Sequence, residues 1–130
     1  MMRIGQRLTI EAMNVELASA AVLRLEGSLN TLTAHAAFSA LLQELHGQIS
    51  SQRLGSFTID VRRLSFVDSS AIRLFIDWVR RAKEAGYLTV FVTDETTTWH
   101  RLSFAVLKSM APNTVEVRSL PPGAQNEAQS

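Results

Sequence analysis

The spacing of apolar positions along this chain switches between every second residue and every third or fourth. Residues 7–16 (RLTIEAMNVE) and 20–27 (AAVLRLEG) alternate apolar and polar side chains, the pattern of strands with one buried face. The intervening LASA reads as a short connection, so two neighbouring strands are expected, the second ending at Gly27. The spacing then lengthens. Phe38, Leu41, Leu42, Leu45 and Ile49 recur at helical intervals, with Asn30, Thr31 and Thr33 as capping groups at the start and Gly47 near the end.

Residues 50–56 (SSQRLGS) read as a loop and 57–61 (FTIDV) as a short strand. Beyond FVDSS (66–70), Ile72, Phe75, Ile76 and Val79 form the apolar face of a second helix that Gly86 stops. YLTVFV (87–92) is almost wholly apolar and reads as a central strand covered on both faces. DETTT then caps a third helix, in which Trp99, Leu102, Val106 and Met110 keep helical spacing as far as Pro112. TVEVRS alternates as a last strand.

The resulting order, β-β-α-β-α-β-α-β, predicts an α/β fold: a mixed, mostly parallel sheet of about five strands with helices packed on it. Strands near 57–61 and 88–92 should pair in parallel in its interior. Residues 1–119 are expected to form a single domain. Residues 120–130, with two prolines and a run of small polar side chains, are expected to be a disordered tail.

Composition narrows the function classes. The chain has 13 basic and 12 acidic residues, so no charge excess argues for nucleic acid or an anionic membrane. Cysteine is absent, which removes disulfides and thiolate metal sites. No apolar run suits a signal peptide or a membrane span, so a cytoplasmic location is expected. His35, His46 and His100 lack metal-ligand spacing and read as surface or boundary residues, and neither a metal nor a cofactor is implied. No glycine-rich loop, HExxH run or G-x-S-x-G elbow occurs, and nothing positions a base for a serine hydrolase. The expectation is a binding module, not an enzyme.

The candidate chemistry lies at Asp68, Ser69 and Ser70, where a strand gives way to a helix. Such residues accept hydrogen bonds from the unpaired N–H groups of a first helical turn, typically contributing about 1 kcal/mol. The same electrostatics lets a helix start tolerate a phosphate, which adds nearly two charges and three acceptors to an exposed surface. Leu74 and Trp78, four residues apart, either widen the core stripe or form an exposed apolar edge beside the serines, with Arg80 and Arg81 as its polar rim.

The layout and the stretch IDVRRLSFVDSSAIRLFI resemble the STAS domain family, which includes bacterial anti-sigma factor antagonists. Asp60, Phe66, Asp68, Ser69 and Ser70 stand where that family has D-x-x-x-x-x-F-x-D-S-S/T, and LRLEGSLNTLTAHAAFSALL is similar to its strand, G-x-L-D turn and first helix. The resemblance implies that Ser69, more than Ser70, is a kinase target. It also implies that Asp68 and Asn30 support the site as helix caps. The partner would be a kinase-type anti-sigma factor or another protein, contacted through Ser69, Ser70, Arg73, Leu74 and Trp78 and released by phosphorylation. The alternative within the same family is a constitutive adaptor in a larger assembly, such as a lipid-transport complex or a signalling scaffold. Two positions depart from the pattern. Asn30 replaces the acidic turn residue, and Ala71 replaces a glycine, its methyl taking room from an approaching partner.

Overall fold

The alternation over residues 7–16 belongs to a hairpin. In the structure, a computed structural model describing residues 2–121, β1 (Arg7–Ile10) turns at Glu11 and Ala12 and returns as β2 (Met13–Ser19). Glu11 supplies the left-handed backbone of that turn (φ 53°), so no glycine or asparagine marks it in the sequence. β3 (Val22–Leu29) runs antiparallel to β2, while β4 (Ser56–Val67), β5 (Leu88–Asp94) and β6 (Val115–Leu120) follow in parallel. The sheet has six strands in the order β1-β2-β3-β4-β5-β6, one more than expected. The expected parallel pair is present, from Phe57↔Thr89 to Asp60↔Val92, and lies inside the sheet.

Gly27 does not end β3. Its φ of 103° lies within the strand, and a Cβ there would stand 2.1 Å from the Ala12 carbonyl oxygen. That carbonyl accepts the Ser28 N–H at 3.0 Å, so the absence of a side chain lets the hairpin tip press onto β3.

Three helices connect the parallel strands: α1 (Leu32–Gln52), α2 (Ser69–Ala85) and α3 (Thr98–Met110). α1 runs through Gly47 and takes in part of the expected loop, stopping where Arg53 adopts a left-handed backbone (φ 53°). α2 ends at Gly86 (φ 85°), as expected. Phe75 of α2 is the hub of the core: its ring centroid lies 5.9 Å from Phe38, 5.8 Å from Phe91 and 5.7 Å from Phe104, each edge-on.

α3 departs from its expected orientation. It buries His100, Phe104 and Leu107 and leaves Leu102, Val106 and Met110 exposed as a stripe along its outer side. His100, expected at the surface or boundary, is fully buried because both ring nitrogens are satisfied: Nδ1 accepts the Asp94 N–H at 3.1 Å and Nε2 donates to Leu64 O at 2.9 Å.

On β2 and β3, Val15, Leu17, Leu23 and Leu25 face the core while Glu16 and Arg24 point the opposite way. The register sets Arg7, Glu16, Arg24 and Asp60 in one row across four strands. Glu16 pairs with Arg7 at 3.1 Å and with Arg24 at 3.4 Å, while Asp60 holds the Arg62 guanidinium at 2.8 Å. Arg62 also donates to the carbonyl of Pro121, past the end of β6. Residue 120, expected to open a disordered tail, instead closes β6, and residues 122–130 of that expected tail lie outside the described residues. Among the described residues no helix is long and apolar enough to cross a membrane.

Candidate functional site

β3 and β4 are parallel neighbours, and their ends meet at the pair Leu29↔Val67. The Asp68 N–H donates to Leu29 O at 3.3 Å, which ties the two exits together. One chain passes through Asn30 and Thr31 into α1, the other through Asp68 into α2. Two helix N-termini therefore stand side by side at the carboxyl end of the sheet, where α/β folds commonly place their binding sites.

Each start is capped by its own side chain. Thr31 Oγ1 accepts the Ala34 N–H at 3.2 Å, and Asp68 Oδ1 accepts the Ala71 N–H at 2.9 Å. Asn30, expected as a cap, precedes the capping residue and is exposed. The charge missing at position 30 has a substitute from the hairpin tip: the Glu11 carboxylate accepts from the hydroxyls of Thr31 (2.9 Å) and Thr33. The Thr33 and Thr31 hydroxyls hold this carboxyl below its ordinary value, so it is ionised at neutral pH.

Ser69 and Ser70 open α2 and are both exposed. Ala71 is fully buried, so its methyl faces the core and takes no room from a partner, contrary to expectation. Arg73 is exposed on the next turn. His35, expected at the surface or boundary, leans from α1 toward the cap, its side chain 12% exposed and Nε2 2.9 Å from Asp68 Oδ1. The approach is out of line for a hydrogen bond, and both ring nitrogens are buried without such a partner.

The docking edge expected of Leu74 and Trp78 is not formed. Trp78 is 1% exposed, its Nε1 donating to Thr89 Oγ1 at 3.0 Å and its ring packed on Phe57 and Tyr87. An indole fills the gap between α2 and β5 and finds a buried acceptor, and that combination overrides any preference for the surface. Leu74 is half-buried against the same core. The exposed apolar groups at this end are Leu32 (83%), at the first turn of α1, and Phe66 (49%), near the end of β4. Phe66 stood in the sequence motif, but its exposure depends on the strand's orientation. Leu32 carried no signal beyond lying off the helix's apolar stripe.

His46, the third histidine, accepts from or donates to the Tyr87 hydroxyl through Nδ1 at 2.8 Å, toward the far end of α1. Among the described residues no three His, Cys, Asp or Glu side chains gather as a metal site requires.

A mixed sheet with two capped helix starts and exposed serines at its carboxyl edge defines an α/β domain with a small polar platform. The family described as "Mlab, STAS domain" matches residues 12–102, and the chain belongs to the STAS domain family. Among solved structures it is similar to the anti-sigma factor antagonist SpoIIAA in its unphosphorylated form, with 15% identity over 84% of this chain and 89% of that one and a TM-score of 0.55. It is also similar to the Bacillus cell fate determinant SpoIIAA in the phosphorylated form, with 18% identity over 83% and 92% and a TM-score of 0.58. At such identities the likeness is one of fold. No curated protein matches the chain.

Proposed function

We propose that this protein is a non-enzymatic, protein-binding switch of the anti-sigma factor antagonist kind, acting in the cytoplasm. A kinase-type anti-sigma factor docks on the paired starts of α1 and α2, and phosphorylation of Ser69 releases it. The observation that carries this reading is the state of the cap. Asp68 Oδ1 is already engaged with the Ala71 N–H, which leaves the exposed Ser69 hydroxyl beside it open to a kinase. A phosphate there meets the positive end of the helix dipole, so the domain tolerates what a docked partner does not. Leu32 and Phe66 supply the apolar part of the docking face in place of Trp78, with Ser70 and Arg73 beside them.

The test uses the kinase-type anti-sigma factors of the same cell with ATP, the phosphate being located by mass spectrometry. Phosphate on Ser69, binding lost in Ser69→Asp and unregulated binding in Ser69→Ala are the expected results. Phosphate on Ser70 alone refutes the assignment.

The constitutive adaptor remains a second reading because of one observation, the exposed Leu102, Val106 and Met110 stripe on α3. It offers a larger assembly a contact apart from the serines. Partner binding that is indifferent to Ser69→Asp but lost on Val106→Glu would favour it.

A further inference from the structure

A second site lies at the other end of α1. That helix has 21 residues and is therefore about 31 Å long, with its first turn at the serine platform and its last turns elsewhere. There Leu17, Leu45, Ile49 and Phe57 wall a pocket of about 340 Å³. All four are nearly or fully buried. Residues Met2–Ile4 form another side of its lining, called its cover below.

The cover is held at several points: the Met2 side chain is buried in the core, the Arg3 N–H donates to Gln6 Oε1 at 2.9 Å, and Arg3 O accepts the Gln6 N–H at 2.9 Å. It joins β1 through Gly5, whose left-handed backbone (φ 84°) is anchored by its N–H to Leu17 O at 2.7 Å. Beyond that hinge, Gln48 Nε2 donates to Met2 O at 3.2 Å. This bond leaves Gln48 Oε1 buried with no hydrogen-bond partner. An unmatched buried acceptor is unfavourable, and a ligand that supplies it with a donor offsets part of what lifting the cover costs in the Met2 bond and in Met2 burial.

We propose that the pocket takes an uncharged, largely apolar small molecule bearing one hydroxyl or N–H group, which enters by displacing Met2–Ile4 and donates to Gln48 Oε1. The volume is more than twice the roughly 150 Å³ that accommodates benzene, and near the lower end of ligand pockets. That size admits two fused rings or a chain of similar bulk and excludes a peptide helix. The apolar walls provide no counter-ion, and Arg3, the one charged residue of the lining, is exposed at the rim. This site is independent of the serines and of any reading of them.

The probes are 2-naphthol and 2-methoxynaphthalene, which share a ring system but differ in the donor. Both are titrated into the full chain and followed by amide chemical shifts. Shifts should centre on Leu17, Leu45, Ile49 and Phe57, and 2-naphthol should bind about fivefold more tightly, as one satisfied buried acceptor implies. Gln48→Leu should abolish that preference, and Ala20→Trp, on the exposed rim, should weaken both probes about tenfold or more by obstruction. Equal affinity for the two probes, shifts centred elsewhere, or no binding up to the solubility limit overturns the proposal.

Discussion

Replacing Thr89 with valine isolates a single buried hydrogen bond. The side chains are nearly the same shape, and Thr89 and Trp78 are both buried, at 0% and 1% exposure. Thr89→Val leaves the packing intact but removes the acceptor of the 3.0 Å bond from Trp78 Nε1. The indole N–H then has no water to turn to, and stability should fall by about 1–3 kcal/mol. Trp78→Ala removes the ring as well and should lose about 3–5 kcal/mol, a large share of a domain's stability of roughly 5–15 kcal/mol. Combining Trp78→Phe with Thr89→Val removes donor and acceptor together. The double variant should be more stable than the sum of its single losses predicts, by about 1 kcal/mol. Urea unfolding followed by far-ultraviolet circular dichroism measures all of these without relying on the fluorescence of the altered tryptophan. A Thr89→Val protein within about 0.5 kcal/mol of the parent, the range of ordinary surface changes, would refute the reasoning. So would a Trp78→Ala protein that keeps its stability and loses only partner binding.

Gly27→Ala should destabilise by more than Gly86→Ala, although both glycines have positive φ. A Cβ at Gly27 meets the Ala12 carbonyl, whereas at Gly86 it meets open space and costs only about 1 kcal/mol of backbone strain; the opposite order in urea midpoints contradicts this. Arg53→Gly should stabilise by about 0.5–1 kcal/mol, because the α1 cap is left-handed and Arg53 is exposed, and an unchanged midpoint counts against it. Burial holds His100 below its ordinary value despite the Leu64 carbonyl and Asp94, and burial lowers His46 as well. The unfolded chain thus takes up these protons first, so their contribution is complete above about pH 6.5 and is lost as pH falls below it. Urea midpoints should be lower at pH 5.5 than at pH 7.5, and equal midpoints would show that neither ring is held neutral by the fold.

The elements most visible in the sequence were those whose own side chains decide them. β5 is apolar throughout, and α2 carries both an Asp68 cap and a Gly86 stop. The less visible features depend on residues in unusual roles. Glu11 and Arg53 take left-handed backbones that glycine would have announced, so one hairpin read as a single strand and α1 read as ending near Gly47. On α3 the apolar stripe of Leu102, Val106 and Met110 suggested the wrong inner face, because the position that packs inward is filled by His100. At the candidate site, the Asp68 cap ahead of Ser69 was legible. Glu11 and His35 were not, since each reaches a helix start from more than 15 residues away in the chain, through contacts that only the folded topology creates.

The tie from Asp68 N to Leu29 O, with a cap closed on either side of it, bears on timing. On the reading proposed above, a phosphate at Ser69 is added to a frame whose strand ends and helix starts are already fixed. The two forms then share one backbone and differ in charge alone. On that reading, no slow relaxation of the domain is expected to separate writing the signal from reading it or to delay its erasure. Its lifetime is that of a phosphoester bond, set by the enzymes that make and cleave it.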